Sequence, residues 1–128
     1  MKNQEHLEQS ALIKWADMQP LARYTFKAGK VGDFLFSIPN GGKRGIITAK
    51  LMQKEGCRSG IPDLMLALPN NHFAGLFIEM KAQTKTARVS DNQKIWLSRL
   101  SEAGYKTQVC YGFEAAKQTI EDYLNNKD

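Results

Sequence analysis

The sequence predicts an α/β fold in which helices flank a central mixed β-sheet. Two short apolar runs on either side of a Pro/Asn cluster, within residues 61–81, predict an antiparallel hairpin. Stretches of helical periodicity precede and follow the hairpin, and two further strand-like runs lie among them. The predicted order is helix, strand, short helix, hairpin, helix, strand, helix. The length of 128 residues fits one domain, which we expect to span residues 1–128.

The first predicted helix covers residues 4–18, and Pro20 ends it. Apolar residues recur at helical spacing and form the stripe that we expect to face the core: Ala11, Leu12, Trp15, Ala16 and Met18. Glu5 and Glu8 lie in the first turns. Either one is a solvated acid near the helix N-terminus, or points toward the core face.

Residues 34–38 are predicted to form a buried strand, which Pro39 closes. The next segment combines glycines, which permit close backbone approach, with two adjacent cations that suit a phosphate: Asn40, Gly41, Gly42, Lys43 and Arg44. Its spacing matches neither a Walker loop nor a dinucleotide fingerprint, which argues against nucleotide binding. A short helix is predicted over residues 47–55, capped by Gly56.

The hairpin brings carboxylates together. If its turn centres on Asn71, Met65 faces Phe77 and Asp63 faces Glu79. Side chains of a strand alternate, so Phe77, Glu79 and Lys81 share one face. Like charges directly opposite each other are destabilising unless a cation lies between them. The pattern therefore predicts a divalent-metal site.

Several cations precede Asp63, with only Glu55 opposing them: Lys43, Arg44, Lys50, Lys54 and Arg58. Such a cluster is commonly a solvated surface. Its position beside the predicted carboxylate site favours contacts to phosphate, in which Ser59 next to Arg58 is also a candidate.

The C-terminal third of the sequence is predicted to form a helix, a strand and a second helix. Residues 90–93 form a capping-box pattern that opens a helix ended by Gly104. Its apolar stripe is Trp96, Leu97, Leu100 and Ala103. Gln93 lies at the edge of that stripe, where its amide either only completes the cap or also reaches the metal site or a substrate phosphate. Residues 105–111 alternate as in a strand, and residues 113–124 form a closing helix whose inward positions are Ala116, Ile120, Tyr123 and Leu124.

Composition limits the class of protein. The net charge of +5 weakly favours a polyanionic partner. No apolar run approaches the roughly 20 residues of a membrane helix, and the N-terminus does not resemble a signal peptide, so we expect a cytoplasmic protein. The two cysteines follow no ligand spacing, which disfavours a zinc knuckle or a disulfide scaffold.

The candidate residues suit metal-assisted hydrolysis of a phosphodiester. Mg²⁺ prefers oxygen ligands and keeps several waters, so two carboxylates and a backbone carbonyl suffice. The metal polarises the phosphoryl oxygen and activates a bound water, and a lysine can orient that water or offset charge. His6 and His72 are the only histidines, and there is no HExxH motif, G-x-S-x-G motif or plausible Cys-His pair, so the residues needed for a zinc protease or for a serine or cysteine nucleophile are missing.

An ordered set of motifs resembles the VRR-NUC branch of the PD-(D/E)XK nucleases, in its small stand-alone phage or prophage form. The resembling segments are the Glu8-Gln9 region, Ile38-Pro39-Asn40-Gly41-Gly42, Gly60-Ile61-Pro62-Asp63, Phe77-Ile78-Glu79-Met80-Lys81, Ser90 through Gln93 with Trp96, and Gly104-Tyr105. Together they cover nearly the whole chain.

The resemblance implies a restriction-endonuclease-like core and dependence on Mg²⁺ or Mn²⁺. Asp63, Glu79 and the Met80 carbonyl would be metal ligands, Lys81 the catalytic lysine, and Gln93 the glutamine such nucleases carry on the following helix. An acid of the first helix belongs to such sites as well, and we assign it to Glu8, with Glu5 as the alternative.

The resemblance also implies a partner and an assembly. Stand-alone members resemble Holliday-junction resolvases, which indicates an endonuclease acting on branched DNA as a homodimer in a bacterial host. Two alternatives keep the fold: a nicking or restriction-type nuclease on linear duplex DNA, and a non-catalytic DNA-binding module. The intact set of Asp63, Glu79 and Lys81 argues against the second.

Overall fold

The structure, a computed structural model, describes residues 2–39, 45–83 and 88–127. Its helices are α1 (Lys2–Met18), α2 (Ile46–Lys54), α3 (Asp91–Glu102) and α4 (Phe113–Leu124). Its strands are β1 (Leu35–Ser37), β2 (Leu64–Leu66), β3 (Leu76–Lys81) and β4 (Lys106–Tyr111). Two short 3₁₀ turns, Leu21–Arg23 and Val31–Asp33, connect α1 to β1. The predicted order of helices and strands is confirmed.

The four strands form one mixed sheet in the order β1-β2-β3-β4. β1 and β3 pair with β2 in antiparallel orientation, whereas β4 lies parallel to β3. The parallel pair requires a crossover, which α3 supplies. The predicted α/β fold with a central mixed sheet and flanking helices is therefore confirmed.

The hairpin register also agrees with the prediction. Met65 pairs with Phe77, and Leu64 pairs with Ile78. Asn70 organises the turn, because its side-chain oxygen accepts hydrogen bonds from the backbone N–H groups of His72 and Phe73 at 2.9 and 2.8 Å. An asparagine that closes its own turn in this way fixes the loop length and hence the register.

One face of the sheet packs against α1 and α4. Leu12 and Ala16 of α1 are fully buried there. The closing helix buries the four residues predicted for it: Ala116, Ile120, Tyr123 and Leu124. The Tyr123 hydroxyl donates to the backbone oxygen of Leu68 at 2.7 Å, so its polar atom is satisfied inside the core.

Three details of the predicted core are wrong. Ala11 is exposed and Met18 is 65% exposed, because both lie about 100° or more around the helix from Leu12. The predicted buried strand is a short edge strand, in which Phe36 is 47% exposed because β1 has a neighbour on one side only. In α3 the predicted stripe is only partly buried, and Ala103 is exposed.

α2 buries none of its residues. Within the described part of the chain, no helix is long and apolar enough to traverse a bilayer.

Candidate active site

Asp63 and Glu79 meet at the open end of the hairpin. Asp63 directly precedes β2, and continuing the observed register by one residue places it opposite Glu79. The backbone N–H of Met80 donates to Asp63 Oδ2 at 2.7 Å. Glu79 is only 2% exposed, so the sheet holds a carboxyl group in its interior. The convergence predicted from the alternation of side chains is present.

The two oxygens of Glu79 differ in their surroundings. Oε2 accepts a hydrogen bond from Gln93 Nε2 at 2.9 Å, and Lys81 Nζ lies 3.7 Å from it. Oε1 is buried and has no hydrogen-bond partner within the described residues. A buried carboxylate oxygen without a donor is costly unless the group is protonated or binds a cation.

Gln93 links α3 to this pair. Its Oε1 accepts from the Ser90 backbone N–H at 2.8 Å and from Lys81 Nζ at 3.0 Å. Ser90 Oγ in turn accepts from the Gln93 N–H at 3.2 Å. The capping box is therefore formed, and the same amide also reaches the candidate site. The two roles that the sequence left as alternatives coexist in one side chain.

The environment of the pair disfavours two ionised carboxylates. Burial raises the pKa of Glu79 to about 8, and the charge of Asp63 adds to the shift. Burial also raises the pKa of Asp63, against the lowering effect of its hydrogen bond from Met80. The interaction between the side chains favours a proton on Glu79 and an ionised Asp63. A divalent cation would replace that proton.

The acids of the first helix have different surroundings. Glu8 Oε1 accepts from the backbone N–H of Phe113 at 2.8 Å, so this carboxylate caps α4. Its Oε2 is buried without a partner among the described residues. Burial raises the pKa of Glu5, and the charges of Asp63 and Lys81 also act on it. Glu5 is therefore the helix-one acid that the structure couples to the pair, and Glu8 stays a prediction.

The candidate DNA-binding residues are only partly described. Arg58 and Ser59 are exposed, and Asn92 Nδ2 donates to Ser59 Oγ at 3.4 Å. Gly60 has φ +88°, and a Cβ there would lie 2.6 Å from the Asn92 backbone. The loop before Asp63 thus packs against the start of α3. The remaining five predictions lie outside the described residues: Asn40, Gly41, Gly42, Lys43 and Arg44.

The residues present fit a hard divalent cation. In the described part of the chain, no group of three or more His, Cys, Asp or Glu residues has an arrangement that could hold a metal. The candidate ligands are two carboxylates and a backbone carbonyl, and a Mg²⁺ ion completes such a set with water. Glu79 Oε1 is buried and has no hydrogen-bond donor among the described residues, and such an ion would satisfy this oxygen.

Sequence reasoning missed His6. Burial raises the pKa of both Glu5 and Asp63, and the charge of His6 opposes that rise. The only signal available was its position next to Glu5, which carries no information on how α1 is oriented over the sheet.

Comparison with known proteins identifies a family and a similar solved structure. The sequence model of the VRR-NUC domain family matches residues 3–114. A solved structure with the description "VRR_NUC domain protein" aligns with a TM-score of 0.78 and 23% identity, over 94% of this chain and 87% of that chain. No curated protein matches the sequence. At that identity, the structural similarity supports the fold.

Proposed function

The chain belongs to the VRR-NUC domain family, and on this premise we propose that it is a metal-dependent endonuclease that hydrolyses phosphodiester bonds in DNA. The observation that carries the proposal is the opposed pair of half-buried Asp63 and buried Glu79 with Lys81 beside it. Two acids placed against each other weaken a fold, so their opposition, with Glu79 buried, is best explained by a bound cation.

Asp63, Glu79 and the Met80 carbonyl would hold the ion, and Mg²⁺ or Mn²⁺ suits these oxygen ligands. When bound, the ion supplies a Lewis acid for the phosphoryl oxygen and lowers the pKa of a bound water. Either Glu8, as the resemblance implies, or Glu5, which the electrostatics favour, would complete the acidic group.

Lys81 is the candidate catalytic lysine. Its ammonium lies between Glu79 and Gln93, where it can orient a water or offset charge on a phosphate in the transition state. Gln93 fixes that ammonium and one Glu79 oxygen together. A side chain held by two partners is preorganised, which reduces the reorganisation needed during reaction.

The substrate is proposed to be branched DNA, cut by a homodimer. A four-way junction has two symmetry-related strands, and a two-fold dimer presents one nuclease site to each. A nicking or restriction-type nuclease on linear duplex DNA would use the same residues and is the second candidate. A non-catalytic DNA-binding module is disfavoured, because it would gain nothing from opposing two acids at the end of the hairpin.

Cleavage assays on matched linear, flap and four-way DNAs, each with Mg²⁺, Mn²⁺ or EDTA, test the proposal. We expect cleavage with metal only, and fastest on four-way DNA. Asp63→Ala, Glu79→Ala and Lys81→Ala should each reduce the rate by more than the roughly 10–100-fold that loss of an outer-shell partner costs. Circular dichroism should stay native.

Glu102→Ala, which changes an exposed acid of α3, serves as the control and should cut as the wild type does. Activity of Glu79→Ala within roughly tenfold of the wild type would contradict the metal-site assignment, because loss of a ligand removes transition-state stabilisation directly.

A further inference from the structure

A cavity of about 370 Å³ lies between α1 and the free edge of the sheet at β1. We call it the edge groove. Residues of one face of α1 line one side, and the strand Leu35–Ser37 lines the other; the α1 residues are His6, Gln9, Ser10 and Ile13. Positions 6, 9, 10 and 13 recur at helical spacing, so they face the same direction.

The polar side chains of the edge groove can all donate hydrogen bonds. They are the His6 ring, the Gln9 amide and the hydroxyls of Ser10 and Ser37. Among the described residues, its lining contains neither an Asp or Glu carboxylate nor a Lys or Arg. Apart from His6, whose ring is charged when protonated, these donors are neutral, so they attract a negatively charged oxygen through dipoles rather than through opposite charge.

The backbone of β1 adds donors to this lining. The Ile38 N–H donates to Asp63 O, and the Ala67 N–H donates to Phe34 O. Phe36 pairs with Met65 between them. Because successive residues of a strand direct their backbone groups to opposite sides, Leu35 and Ser37 direct theirs away from β2, toward the free edge.

The edge groove begins beside the candidate active site. Ser37 pairs with Leu64, the residue after Asp63. Ile38 donates to the Asp63 carbonyl at 2.8 Å. A strand of nucleic acid with its scissile phosphate at Asp63 and Glu79 can therefore continue into the groove.

We propose that the edge groove binds the sugar-phosphate backbone of the cleaved DNA strand, at a phosphate adjacent to the scissile one, through neutral hydrogen-bond donors. This inference rests on the proposed nuclease function. Most protein–DNA hydrogen bonds go to phosphate and sugar, and serine, glutamine and backbone N–H groups are among their donors. An extended peptide added to β1 fits less well, because the three-residue strand offers only Leu35 and Ser37 for pairing.

Neutral donors leave a signature that cations do not. Phosphate contacts by Lys or Arg release counterions, and each one lost lowers the slope of log affinity against log salt by roughly 0.9. Contacts by Gln9 and Ser10 position the strand without that effect. Their loss should therefore weaken substrate binding equally at low and high salt.

The test uses the double variant Gln9→Ala/Ser10→Ala and measures cleavage of the best wild-type substrate. We expect KM to rise about tenfold, as the loss of two modest hydrogen bonds predicts, with kcat within about twofold of the wild type. The salt slope of binding in EDTA should not change. Arg58→Ala, which removes an exposed cation, is the matched comparison and should lower that slope by roughly 0.9.

The second measurement uses a series of substrates. In each one, a methylphosphonate replaces a single phosphate near the cleavage position. A methylphosphonate at one position adjacent to the scissile phosphate should raise the KM of the wild type. It should not raise the KM of the double variant any further, because both changes remove the same contact. An unchanged KM in the double variant, or fully additive effects, would overturn the inference while wild-type cleavage still supports the nuclease. Absence of wild-type cleavage on every DNA with either metal would overturn both.

Discussion

Glu79 is a carboxyl group inside the sheet, and its pKa affects the stability of the metal-free protein. Burial raises that pKa from 4.5 to about 8. Between these values the folded protein retains a proton that the unfolded chain releases. The free energy of unfolding therefore falls as the pH rises through this window. A bound divalent cation removes this penalty, because it stabilises the ionised pair.

Asp63→Asn tests this argument without DNA. The substitution removes the Asp63 charge, which adds to the effect of burial on the pKa of Glu79, and keeps an oxygen that can accept from the Met80 N–H. In EDTA at pH 8, we expect the variant to melt at a higher temperature than the wild type. At a hundredfold excess over its dissociation constant, Mg²⁺ should stabilise the wild type by about 2.7 kcal/mol and the variant far less.

Thermal melts of both proteins between pH 5 and 8, with Mg²⁺ and with EDTA, measure these differences. If Asp63 served only to cap the start of β2, the asparagine variant would be no more stable than the wild type in EDTA. Mg²⁺ would then shift both melting temperatures equally.

For single residues, the sequence predicted the contacts that depend on one local register. Asp63 and Glu79 follow from the hairpin turn and the alternation of side chains. The choice between Glu5 and Glu8 depends on how α1 is rotated over the sheet, and packing of the whole core determines that rotation. The same unknown rotation explains why the periodicity of α1 predicts Ala11 and Met18 in the core, although both are exposed.

The first turn of α3 joins helix capping to the candidate site. Gln93 Oε1 serves Ser90 and Lys81 together, while its amide nitrogen donates to Glu79. Sequence spacing predicted the capping box because its residues are local. It could not decide whether the amide also reached β3, since that contact depends on the packing of α3 against the sheet.

Gln93→Glu separates the two roles. A glutamate still accepts from Ser90 and Lys81, so the capping box survives. It no longer donates to Glu79, and places a second negative charge beside it. We expect activity or Mg²⁺ affinity to fall roughly 10–100-fold, while circular dichroism and the melting temperature with saturating Mg²⁺ stay close to the wild type.

Steady-state kinetics across a Mg²⁺ titration, with Gln93→Ala as the comparison, measure the effect. Gln93→Ala should also lose stability, because it removes the capping partner of Ser90. Full activity in Gln93→Glu would mean that the amide serves the helix alone.

At the scale of the whole molecule, α2 carries several large apolar side chains that are exposed. α2 buries none of its residues, and Ile46, Ile47 and Leu51 are 75%, 78% and 54% exposed. Large apolar side chains grouped on a surface indicate an interaction site. The sequence predicted the helix but not its exposure, because apolar spacing does not distinguish a core from a surface that a partner covers. The same limit explains β1, whose apolar residues lie at the sheet edge.

Dimerisation is the prediction at this scale, and α2 is the surface on which we expect it. A second copy that packed α2 against α2 would cover the exposed isoleucines and leucine, and the resulting two-fold axis would relate two active sites. Light scattering should give about twice the 14.4 kDa chain mass. Ile47→Glu/Leu51→Glu should give the mass of one chain, because like charges and lost apolar area both oppose the contact.

Ser98→Glu/Ala115→Glu adds the same charge to exposed positions of α3 and α4 and is the matched control, which should remain a dimer. The monomeric variant should bind four-way DNA more weakly and cut one strand at a time rather than two symmetry-related strands together. A wild-type protein that is monomeric at micromolar concentration yet resolves junctions would contradict the two-fold mechanism. A dimeric Ile47→Glu/Leu51→Glu variant would instead place the interface elsewhere, because α2 could not then be the surface that holds the two copies together.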